Sequence, residues 1–297
     1  MSRRRLLVAA MSATMICGLV AACSLDGVER AATEDRGDKN RMQWAMPLDA
    51  YRVDESLFHA EHVLVEACMR GSGFDYRRPP IDIAARSESL SIGGRNLFNV
   101  VVAAKWGYSG APDPNGEIIR AAEAAATAWT PEEDAQYLTC LDGAREEFPP
   151  SGMRINNALS GFGLSAWTGA VMEPKVVAAA ERWVGCVRSL GFTDLPSSPY
   201  SEDGGMPTES MADAYGEIAD GRMNEQTPEQ EAEEIRLATF DAECRESSGY
   251  AQALYDAEWD RQMTVVEENE DALATLLEEK TAFEKQAREI LDGAGVG

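Results

Sequence analysis

One phrase occurs twice in this chain. Residues 68–76 read CMRGSGFDY and residues 186–194 read CVRSLGFTD, both Cys-apolar-Arg-x-x-Gly-Phe. Each closes a stretch with helical periodicity, so each reads as a helix stop. With Gly191 as the left-handed residue past a helix end, Phe192 and Val187 stand where a Schellman motif joins two apolar side chains. Gly73, Phe74 and Met69 take the same places in the first copy. Both copies set a cysteine, Cys68 or Cys186, one turn before the stop.

A second phrase answers each of the first. Thr130-Pro131-Glu132 and Thr227-Pro228-Glu229 have the helix-start chemistry of an N-cap threonine with proline at the first helical position. Glu133 and Gln230 complete capping boxes. Cys140 follows its threonine by ten residues and Cys244 follows its own by seventeen. The difference is close to two turns, so both cysteines fall on nearly the same helix face. The chain therefore reads as an all-α helical bundle of two degenerate units, about 46–150 and 170–250, plus a long C-terminal helix over about 250–291. Four cysteines allow three connectivities. The duplication favours pairing within units, Cys68 with Cys140 and Cys186 with Cys244. A zinc or redox role for these four would call for CxxC-type spacing, which does not occur.

Periodicity fills in the helices. Val53, Leu57, Ala60, Leu64 and Ala67 recur at spacings of three and four, predicting a helix over 51–69. Further helices are expected over 116–129, from Thr130, over about 173–190 and from Thr227. Past Gly249 one helix is expected to turn Leu254, Met263, Val266, Leu273, Leu277 and Phe283 inward. The run NLFNVVVAAKWG reads as a short buried helix. Residues 77–95, 107–116 and 195–210 are rich in Pro, Gly and Ser and read as irregular, the last as a mobile surface loop.

The first 22 residues belong to a different class. Arg3, Arg4 and Arg5 precede an apolar stretch from Leu6 to Ala22 that is short and rich in small residues, as in an export signal. Leu19-Val20-Ala21-Ala22-Cys23 resembles the lipobox of bacterial lipoproteins. That resemblance implies cleavage before Cys23 and lipids on its thiol. Residues 23–45 then read as a flexible polar tether and 46–297 as the helical domain. Without its leader the chain holds 24 Lys and Arg against 51 Asp and Glu, a formal charge of −27. Such a surface repels nucleic acid and anionic headgroups, so membrane attachment would rest on the lipids of Cys23.

Catalytic signals are sparse. The only histidines, His59 and His62, form a stripe with two carboxylates: Glu55-x3-His59-x2-His62-x3-Glu66. These residue types on one helix face are the sharpest metal candidate in the chain. The stripe lies about 200° from the apolar one, so it reads as the solvated outer face instead. No cofactor is expected. Trp106, Tyr108, Trp129, Trp167, Trp183 and Tyr200 read as core or its rim, with a sugar or peptide groove as the other use of such residues.

The mature chain also resembles a group of exported actinobacterial lipoproteins, on CMRGSGFDY, KWGYSG, NNALSG, GCVRSLGF and AECRESSGY. The group implies an envelope-attached helical protein and nothing catalytic. The expectation is a binding or accessory lipoprotein on the extracytoplasmic face of the cell membrane. An envelope protein or exporter is its expected partner. The alternative is a carboxylate-dependent hydrolase acting on cell-wall polymers.

Overall fold

The computed structural model describes residues 39–201, 205–216 and 226–296. The described residues form ten α-helices, several short 3-10 turns and no strand beyond an isolated Leu90–Asn96 bridge. The helices are α1 (His59–Gly71), α2 (Val100–Trp106), α3 (Gly116–Ala126), α4 (Pro131–Glu147), α5 (Ser151–Val171), α6 (Pro174–Val187), α7 (Glu209–Tyr215), α8 (Pro228–Ser247), α9 (Tyr250–Glu268) and α10 (Glu270–Gly293). The leader, Cys23 and the tether up to 38 lie outside the described residues.

The repeated phrases do what their chemistry requires. Thr130 and Thr227 cap α4 and α8, and Glu133 and Gln230 close both capping boxes. Gly73 and Gly191 take φ of 91° and 87°, a region in which only glycine is unstrained. At the first stop Phe74 N–H donates to Met69 O and Gly73 N–H to Arg70 O, both at 3.1 Å, which is the full Schellman pair. Phe74 and Met69 share one apolar cluster. The second stop tightens into a 3-10 turn, Arg188–Leu190, and Phe192 packs instead with Met211, Tyr215 and Leu237.

Both disulfides lie within units. Cys68–Cys140 ties α1 to α4 and Cys186–Cys244 ties α6 to α8, with Cα atoms 5.6 and 5.7 Å apart. Three residues before each first cysteine stands a fully buried side chain, Val65 in one unit and Trp183 in the other. The third helices, α5 and α9, lie along each other and join the halves, and α10 returns to pack on α1 and α5. The larger core cluster thus draws Leu57 and Ala60 together with Ile155, Leu159, Leu273, Phe283 and Leu291. The second gathers Val176, Ala180, Trp183, Tyr250 and Leu254.

Four expectations need correction. The first helix begins at His59, and residues 47–58 form two 3-10 turns whose Leu48, Tyr51, Val53 and Leu57 are buried all the same. Residues 39–45, expected within the tether, dock on α9, where Lys39 Nζ lies 2.9 Å from Asp256 and Trp44 Nε1 donates to Glu258 at 2.9 Å. The C-terminal helix is two helices. Asn269 leaves helical geometry at φ −122°, and its amide donates to Val265 O at 2.8 Å, a local bond that competes with helix continuation. Glu270 and Asp271 then begin α10, where carboxylates suit the helix dipole. Of the segment expected to be a mobile loop over 195–210, the described part is anchored at Tyr200, which stacks edge-on against Trp167 at 5.0 Å and accepts a hydrogen bond from Arg245 at 3.1 Å.

Candidate functional site

The insert of the first unit builds a groove. Past the Gly73 stop the chain turns back beside α1, and Phe74 enters the cluster of Val65, Met69 and Ala144. Tyr76 then meets Trp129 and Tyr137 at ring-centroid distances of 5.9 and 5.8 Å, and those two lie 5.0 Å apart. A reciprocal pair holds α3 over this cluster: Asn115 accepts from Asp82 N–H at 2.9 Å and donates to Asp82 O at 3.0 Å. The helix α3 lies against this segment, and its Ile119, Ala122 and Ala126 face the cavity. The volume of this half-open groove is about 540 Å³.

Both histidines line this groove. His59 is only 4% exposed, and Glu66 is buried beside it. The solvated outer face expected of this stripe fails at His59 and Glu66, while His62 is half-buried and Glu55 is exposed. Ala67, assigned to the apolar stripe, is exposed, while Val65 and Met69 are buried. The physical reason is that α1 is covered on three sides, by α4, by α10 and by the 74–81 segment. A single amphipathic stripe cannot describe such a helix.

Burial holds the imidazole of His59 down to about 4, with the neighbouring His62 and Arg78 adding to the effect. Burial likewise lowers His62. Both are neutral at pH 7. The His62 Nδ1 is buried and has no hydrogen-bond partner among the described residues. The ring centroids of the two histidines stand 5.6 Å apart, and Glu66 is taken by an ion pair with Arg78. Among the described residues no group of three or more His, Cys, Asp or Glu is placed to hold a metal ion. Glu55, His59 and His62 thus meet as groove wall, with Glu66 behind them.

The groove's other ionic groups are at its rim. Glu55, Asp75, Glu123 and Glu133 face one cation, Arg77, which lies 3.9 Å from Asp75. Hydrogen bonds from Thr130 hold the Glu133 carboxyl below its ordinary value. Burial raises Tyr76 to about 12 and also raises Tyr137, so both phenols stay protonated.

Elsewhere the buried charges are structural. Arg245 and Asp241 pair at 2.6 Å with side chains 6% and 0% exposed. Trp183 Nε1 donates to the same Asp241 at 2.7 Å, and the guanidinium lies over Phe98 at 4.2 Å. Arg95 spans to buried Glu258 with hydrogen bonds of 2.5 and 2.7 Å, and its guanidinium covers Trp167 at 4.5 Å. Asp49 is pushed up to about 6 by burial, against the pull of the Met46 N–H and of Arg52 and Arg95. None of these residues lines the groove.

Of the aromatics singled out in the sequence, Trp129 lines the groove. Trp183 is core, Trp167 and Tyr200 pack on each other, Tyr108 stacks on Phe98, and Trp106 sits beside Lys105. Phe74 is expected only as part of a helix stop, and Tyr76 and Tyr137 carry no expectation as groove residues. The signal for Tyr137 is its place one turn before Cys140, and for the other two their position directly after the glycine stop. No protein-family model, curated protein or solved structure matches this chain.

Proposed function

We propose that the mature chain is a non-catalytic binding protein, held on the outer face of the cell membrane by lipids on Cys23, with the groove between α1, α3 and α4 as its ligand seat. The observation that carries this reading is the groove itself. It is concave, walled by Tyr76, Trp129, Tyr137 and two neutral histidines, and of a size that suits a small molecule. Attachment rests on the lipobox-like Leu19–Cys23, and two disulfides suit an oxidising compartment. The membrane is then one partner, and an envelope protein or exporter that exchanges the ligand is the other. A hydrolase would need one carboxyl kept protonated beside one ionised. In the groove Glu133 is driven toward the ionised form, and the raised Asp49 lies outside it.

Metabolic labelling with radioactive palmitate in an actinobacterial host tests the attachment. The wild-type protein is expected to carry label in the membrane fraction, and Cys23→Ser to carry none. Equal labelling of the variant would overturn the lipid anchor.

A further inference from the structure

We propose that the groove binds a small organic ammonium, with an apolar, ring-bearing body on the Tyr76–Trp129–Tyr137 cluster and a protonated amine at the carboxylate-bearing rim. The inference rests on the reading of the groove as a ligand seat and names the class of ligand.

Three features of the groove favour this occupant. The first is charge. Four carboxylates face a single cation, and that cation is itself beside Asp75. The histidines add no positive charge at pH 7. An anion entering here would meet a net negative lining, whereas an ammonium gains from several carboxylates and from aromatic faces. The second is the aromatic wall: Tyr76, Trp129 and Tyr137 lie with ring centroids 5.0–5.9 Å apart, and their faces attract a cation. The third is α3. It packs lengthwise on no other helix among the described residues, and Ile119 on its groove side is 38% exposed. An apolar ligand body would cover that side. The volume of about 540 Å³ falls within the range of small-molecule sites.

The test uses the full mature chain carrying Cys23→Ser, which avoids detergent. Calorimetric titrations compare 4-phenylbutylamine, 4-phenylbutan-1-ol and 5-phenylpentanoate, which share one apolar body and differ in charge. The amine is expected to bind about tenfold tighter than the alcohol, and the carboxylate most weakly. Glu123→Gln, an exposed change on α3, is expected to weaken the amine about two- to fivefold and leave the alcohol unchanged. Equal or tighter binding of the alcohol or carboxylate keeps the groove as a seat and overturns the ammonium. No saturable binding by any of the three overturns both. An amine affinity untouched by Glu123→Gln overturns the rim contact.

Discussion

The Asp241–Arg245 pair offers the sharpest stability test. Both side chains are out of water, and among the described residues the guanidinium hydrogen-bonds to one anion, Asp241, and to the neutral hydroxyl of Tyr200, with the Phe98 ring against its face. Asp241→Asn keeps the shape and keeps an oxygen for the Trp183 N–H, but it strands the charge. Removing one partner of a buried pair costs about 3–5 kcal/mol, because the remaining ion pays desolvation without compensation. A domain of this size has about 5–15 kcal/mol in all. At about 2–4 °C per kcal/mol the melting temperature should fall by about 6–20 °C. Urea unfolding followed by circular dichroism, with both disulfides intact, gives the free energy directly. The second arm is Asp241→Asn with Arg245→Met, which removes the stranded charge and leaves an apolar side chain against Phe98. The double variant should be more stable than Asp241→Asn alone. A single variant within about 1 kcal/mol of wild type would refute the assignment of a desolvated pair. So would a double variant less stable than the single one.

Replacing Cys68 and Cys140 by serine reopens a loop with a sequence separation of 72, and the chain-entropy model puts the loss at about 4 kcal/mol. The Cys186–Cys244 pair, separated by 58, should cost nearly the same, which paired urea midpoints will show. Two groups give opposite pH slopes. His59 is held at about 4 against an ordinary 6.5, so the unfolded chain takes its proton first, and stability falls by about 3 kcal/mol as pH drops from 6.5 to 4. Asp49 is held at about 6 against 3.8, so the folded chain keeps its proton longer, and stability rises by about 3 kcal/mol as pH drops from 6 to 3.8. His59→Gln should therefore leave a curve that rises on acidification, and Asp49→Asn one that falls more steeply than wild type. Urea midpoints between pH 8 and 3.5 check both, and parallel curves for all three proteins would count against these burial effects.

Much of the fold was legible wherever local chemistry decides it. Caps, glycine stops and the cysteine spacing depend on residues within a turn of each other, so Thr130, Gly73 and Cys140 could be read without tertiary knowledge. The helix α5 escaped because its reasons are tertiary. It carries Gly152, Gly161, Gly163 and Gly169, a composition that argues against a helix. Gly152 is there because a Cβ would come within 2.8 Å of the Phe283 ring, and Gly169 because Arg261 occupies the same space. Close packing against α10 and α9 thus overrides propensity. The groove escaped for a similar reason. The histidine stripe looks polar on a helical projection, but the wall that covers it comes from residues 74–81, whose path is decided only after the Gly73 stop.

The cross-links also join thiols that are consecutive in the mature domain, first to second and third to fourth. A chain threaded N-terminus first into an oxidising space presents each cysteine with its proper partner before any competitor arrives. On the proposed export route, Cys68 and Cys140 would be able to close while Cys186 is still on the far side. Co-translocational oxidation in simple order of emergence would then yield the native pattern, and the chain would make no demand on an isomerase.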